Sequence, residues 1–320
     1  MSMKYPFLML IGMSILIWAC KKKEAENPYE ELVYVVEIDN PDVEDLPVGN
    51  FAWLHGKIFK PTCANSGCHD GTFEPKFNSI SSSYNSLVNQ PVISNDAGFT
   101  FQYRVKPGDF EASLLHERLT NNIPNSSGIM PLEVDENSDW DELSNSYIGA
   151  IETWIAIGAP DMFGTMAGPA GSDFPPQVDA FAVFPAGNTT DPYIREPEGQ
   201  GITPILVDNG MVDLWVRVTD DQTPAASIAV NELKLAENTD EFNLSAPLLF
   251  NTSETLVAED LNGSPATFNR KATVDLSTYP IGTTLFVRTY FDDGNQTTVT
   301  ELPNANSNSL ITAIFVIQVQ

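Results

Sequence analysis

The stretch Cys63-Ala-Asn-Ser-Gly-Cys68-His69 decides how the first half of this 320-residue chain is read. Upstream of it, Phe51, Leu54 and Ile58 recur at helical spacing, and Pro61 forbids straightforward continuation of that helix. An amphipathic helix therefore delivers a Cys-x4-Cys-His loop. Three chemistries compete for such a loop. Two thiols in an oxidising compartment can close a small disulfide. A zinc ion would need a fourth ligand, for which His55 or His116 would have to serve. Alternatively, two thiols can add to the vinyl groups of a haem while the adjacent imidazole reaches its iron.

A second segment downstream bears on that choice. Gly128-Ile-Met130-Pro131 places a methionine in a loop 61 residues after His69. Tyr147, Ile148, Ile151, Trp154 and Ile155 then repeat at three and four residues, which predicts an amphipathic helix ended by Gly158 and Pro160. Between the two lies Arg104-Val-Lys-Pro107-Gly-Asp109-Phe-Glu-Ala-Ser113-Leu-Leu-His-Glu-Arg-Leu119. Asp109 or Ser113 can cap the helix this segment opens, with Leu114, Leu115 and Leu119 facing inward.

Taken in order, these segments over residues 51–163 resemble the c-type cytochromes, especially the cytochrome-like domains of exported bacterial proteins that read Cys-Ala-x-Ser-Gly-Cys-His. The usual attachment spacing there is Cys-x2-Cys-His, so this loop departs from it by two residues. The resemblance implies a small all-α cytochrome c-like domain over 50–163 holding one covalent haem c. Cys63 and Cys68 would be its thioethers, His69 the proximal iron ligand and Met130 the distal one. His116 is the rival for the sixth position, and Arg104 and Lys106 are candidates to pair with the haem propionates. An iron with both axial positions filled passes single electrons and leaves no open site for peroxidase chemistry, so an electron carrier is expected and an enzyme is not.

The flanks describe an exported protein. Residues 6–19 run without a charge, and as a helix they would span about 21 Å, short of a bilayer core of about 30 Å. They read as the apolar region of a signal peptide over 1–19. Leu16-Ile-Trp18-Ala19-Cys20 resembles a bacterial lipobox, although the bulky Trp18 departs from the pattern. That resemblance implies a lipidated Cys20 and, with no aspartate following it, an outer-membrane lipoprotein facing the periplasm or the cell surface. Residues 20–49 read as a tether, in which Leu32-Val-Tyr-Val-Val36 could add an edge strand.

After Pro160 a Gly- and Pro-rich stretch over 164–177 reads as a linker, and beyond it the period becomes that of strands. Residues 212–219, 272–276, 284–291 and 310–319 alternate, separated by turn signals such as Asp208-Asn-Gly210 and Asn262-Gly263. The pattern over 178–320 resembles an all-β immunoglobulin-like sandwich. The chain is thus expected to be multidomain, a small all-α domain followed by a β-sandwich. Leu214 to Asp221 and Leu285 to Asp293 look alike, each a strand running into paired aspartates, but two carboxylates do not fill a calcium shell of six to eight oxygens.

Charge narrows the partners. With 43 acidic against 16 basic residues, and a net charge of -27, the surface argues against nucleic acid and favours a basic redox partner whose on-rate falls with salt. The competing expectation is a surface binding or adhesion lipoprotein with a structural Cys63–Cys68 disulfide and no haem.

Overall fold

The computed structural model describes residues 46–124, 126–195 and 202–320. The signal peptide, Cys20 and the Leu32–Val36 run lie outside them. Asn50 opens the first helix by accepting the Ala52 N–H on its side chain at 2.9 Å. Helix α1 (Phe51–Leu54) then widens into a π-helix over His55–Cys63. Pro61 does not stop it. The wider turn accommodates a ring that lacks an N–H and that a tighter α-turn would press against the carbonyl four residues back. The π-turn closes where Ala64 N–H donates to Phe59 O at 3.1 Å, which fixes Cys63 at the mouth of the following loop.

Three more helices follow. Helix α2 (Ile80–Leu87) carries a Ser79/Ser82 capping box, and α3 (Leu114–Thr120) is short. Helix α4 (Trp140–Ala156) buries Tyr147, Ile151, Trp154 and Ile155, the stripe its spacing predicts. It packs on α1 through Phe51 and Trp154, whose ring centroids are 5.1 Å apart.

The strands form two main sheets. One runs β1 (Gln177–Pro185), β3 (Met211–Thr219), β8 (Arg270–Asp275). The other runs β2 (Ile205–Val207), β11 (Val316–Val319), β9 (Thr284–Asp292), β4 (Val230–Ala236), β5 (Leu248–Leu249), with β10 (Thr300–Leu302) also on β9. A separate hairpin pairs β6 (Leu256–Glu259) with β7 (Pro265–Phe268). The pairing is antiparallel except between β11 and β2. Strand β1 is buried on both faces. Phe181 and Val183 join the main core, while Ala180, Ala182 and Phe184 meet Trp215 and Phe268 on the other side. A short helix α5 (Ser309–Ile314) precedes β11, so the alternating run 310–319 is strand only at its end. Asn308 explains this by accepting the Leu310 N–H at 2.9 Å, a cap that commits the next turn to helix.

The expected division into a small all-α cytochrome c-like domain and a separate immunoglobulin-like sandwich is overturned. Helix makes up 20% and strand 25%, and no all-α domain stands apart among the described residues. The physical reason is that the 8- and 7-residue helices, beside the Phe51–Cys63 α/π helix and the 17-residue α4, do not close a core of their own. They pack on one another, α2 packs also on β1, and the interior they form runs on into that of the sheets. One continuous core runs from Leu46, Phe51 and Trp154 to Phe181, Leu285 and Ile317. Phe174 lies edge-on to Tyr84 at 5.4 Å, and Phe163 and Phe181 both meet Phe315. Ser81 of α2 donates through Oγ to Asp179 of β1 at 2.5 Å. The stretch after Pro160 is pinned as well. Gly164 has φ +81°, and a Cβ there would stand 2.8 Å from the Asn306 carbonyl oxygen, so only glycine fits.

Candidate functional site

The π-helix hands the chain to a loop that its own backbone closes. His69 N–H donates to Cys63 O at 3.1 Å, and Cys68 N–H to Asn65 O at 2.8 Å. Gly67 takes φ +79°, the left-handed turn that brings Cys68 back toward Cys63. Both cysteines are free thiols. Burial, with the charge of Cys68 second, pushes the Cys63 thiol up to about 12.

Cys63, Cys68, His69 and Met130 all line one cavity of about 600 Å³. Its floor is apolar, built from Phe77, Leu87, Leu114 and Leu119. His69 donates from Nδ1 to the Pro75 carbonyl at 2.8 Å. Because a carbonyl only accepts, the neutral ring carries its proton on Nδ1 and its lone pair on Nε2. The rings of Phe73 and Phe77 lie 5.1 and 5.3 Å from the imidazole and fix its plane. Burial lowers the His69 pKa from its ordinary value, which keeps the ring neutral near pH 7. Met130 reaches the cavity because its N–H donates to Arg118 O at 2.7 Å, tying the methionine loop to α3.

Two guanidiniums complete the lining. Arg104, 9% exposed, donates through Nη1 to Glu74 Oε2 at 2.8 Å and to Ser86 O at 2.5 Å. Arg118 donates to Ser127 Oγ at 2.9 Å and forms no ion pair among the described residues. The sequence reading named Arg104 but missed Arg118, whose position on a short helix gave no motif to find it by. Lys106 pairs with Asp109 at 2.8 Å, exposed, and does not line the cavity.

The other histidines lie elsewhere. His116 donates from Nε2 to Glu152 at 2.9 Å and is not part of the lining. His55 is fully buried, with Nδ1 on Ser83 Oγ at 2.8 Å and Nε2 without a partner among the described residues. Burial and Lys60 push its pKa down to about 3, so it is a neutral core group. Neither histidine joins Cys63, Cys68 and His69 in that cavity.

No protein-family model matches this chain, and no curated protein or solved structure is significantly similar to it. Function is therefore argued from the cavity and the residues around it.

Proposed function

We propose that the chain is a membrane-anchored haem c-binding protein that transfers single electrons outside the cytoplasm, anchored through a lipidated Cys20 and serving a basic redox partner. One observation carries this reading. Two thiols, an imidazole and a thioether, from positions as far apart as Cys63 and Met130, converge on one apolar cavity.

The lining fits a porphyrin attached through Cys63 and Cys68. A volume of about 600 Å³ falls within the roughly 300–1,000 Å³ of ordinary cofactor pockets. Arg118 is a cavity cation without a paired carboxylate among the described residues, and a propionate would answer it. When bound, such a haem supplies a one-electron iron couple whose potential rises with thioether ligation. His69 would hold the iron through Nε2, oriented by the bond from Nδ1 to Pro75. Met130 would also hold it, through its sulfur. Leu87, Leu114 and Leu119 exclude water from the cavity floor, which limits solvent reorganisation as charge changes.

The test is a haem stain on the denatured full chain, produced in a bacterium that attaches haem c. Red protein that stains, and a Cys63→Ser/Cys68→Ser variant that does not, is the expected result. Colourless protein with a Cys63–Cys68 disulfide refutes it and returns the binding-lipoprotein alternative.

A further inference from the structure

The carboxylates of Asp173, Asp220 and Asp293 come together at one end of the strand layers. One ligand oxygen from each lies within 4.8 Å of the other two. Asp173 precedes β1, Asp220 follows β3 and Asp293 follows β9, so three separate elements, two of them in different sheets, meet there.

Each aspartate is half engaged. Asp220 Oδ1 accepts N–H bonds from Gln222 and Thr223, and Asp293 Oδ1 accepts from Asn295 and Gln296. Asp173 Oδ2 accepts from the Gln296 side chain at 3.3 Å. In all three the second oxygen is buried without an N–H donor, and the Asp173 and Asp293 carboxyls lie within hydrogen-bonding reach of each other. Asp293 is the sharpest case, because the residue is only 9% exposed and Oδ2 still meets no N–H donor. An acceptor taken out of water and left unpaired costs free energy, more so when charged. No ion pair with any of the three is found among the described residues.

We propose that Asp173, Asp220 and Asp293 bind one calcium ion that ties the segment entering β1 to the ends of β3 and β9. Hard divalent cations take carboxylate oxygens at about 2.3–2.6 Å, so two oxygens on opposite sides of one ion stand about 4.6–5.2 Å apart. Three oxygens that all lie within 4.8 Å of one another can therefore reach a single ion. Waters complete the shell. Ligands from three irregular loops suit the variable geometry of calcium better than the strict octahedron of magnesium. The sequence pairs Asp220 with Asp221 and Asp292 with Asp293, but the cluster takes one of each and adds Asp173. The site is independent of the haem cavity.

The test uses the full chain, stripped with EDTA. Calorimetric titration with CaCl2 is expected to give one site with a dissociation constant on the order of 10⁻⁴–10⁻³ M, as in extracellular modules. Thermal unfolding in 5 mM CaCl2 should then occur about 3 °C higher than in EDTA. NaCl at matched ionic strength should not reproduce the shift, and Asp293→Asn and Asp220→Asn should each abolish it while folding in EDTA. A heat-silent titration with an unchanged Tm overturns the proposal. So does an equal shift in NaCl or MgCl2, or a calcium response that both variants retain. If Asp293→Asn does not fold, Asp220→Asn decides.

Discussion

Replacing Arg217 by methionine isolates the charge network that joins the helices to the sheets. Arg217 donates through Nε to Asp179 Oδ1 at 2.6 Å and through Nη2 to Asp260 Oδ2 at 3.3 Å. The side chains of both aspartates are 1% exposed. Asp179 also accepts from Ser81 N and Oγ on α2. Burial opposes the Asp179 charge, but Arg217 and Ser81 hold its pKa below the ordinary carboxylate value. Asp260 sits the other way, raised to about 6 by burial and by Asp179. Methionine keeps most of the volume of the stem and removes the cation, which leaves two buried carboxylates facing each other. Removing one partner of such a network costs about 3–5 kcal/mol. For a chain of this size that corresponds to a fall in Tm on the order of 10 °C.

The cost is expected to be greater at pH 8 than at pH 5, since at low pH the aspartates escape by protonating. In the double variant Arg217→Met/Asp179→Asn part of the loss should return, because the amide oxygen still accepts from Ser81 while one of the two stranded carboxylates, and its repulsion on Asp260, is gone. Denaturant unfolding of the four proteins at both pH values supplies the cycle. A loss below about 1 kcal/mol at pH 8, or one independent of pH, would show that the pair is not a buried electrostatic joint.

Asp161 gives a pH dependence of defined sign. Burial raises its folded pKa to about 7 against an ordinary 3.8, so folding favours the protonated form, and stability falls as pH rises from about 4 through 7. Asp161→Asn keeps the bonds from Phe163 N and Thr165 N to Oδ1, and should flatten that part of a Tm-against-pH curve. Gly164→Ala forces a side chain into a left-handed turn against the Asn306 carbonyl and should cost about 2 kcal/mol or more, read by the same denaturant assay. If haem is held as proposed, Met130→Ala leaves it attached and lowers the reduction potential, whereas His116→Ala, a change at a Glu152 partner, leaves the potential nearly unmoved. Equal effects in a redox titration would remove Met130 from the site.

Much of the candidate site was legible before any coordinates. Cys63, Cys68 and His69 are neighbours in the chain, so their joint chemistry is local, and Met130 announced itself between Gly128 and Pro131. Arg118 was not legible, because its place in the cavity depends on how α3 lies against the methionine loop. Pro61 misled, since a wider helical turn can absorb a proline that an α-turn would reject. The similar strand ends at Asp220 and Asp293 were visible, but their convergence with Asp173 was not.

What the sequence by itself determined were the local terms: the stripe on α4, the alternation of the strands, and the thiols and imidazole brought together at residues 63–69. Each is set by covalent spacing and backbone geometry within a few residues. Only the tertiary structure decided which apolar faces meet. Periodicity shows that a face must be buried but not against what, and here helices and strands contribute to the same interior, so Phe51, Trp154, Phe181 and Ile317 share one core where two were expected.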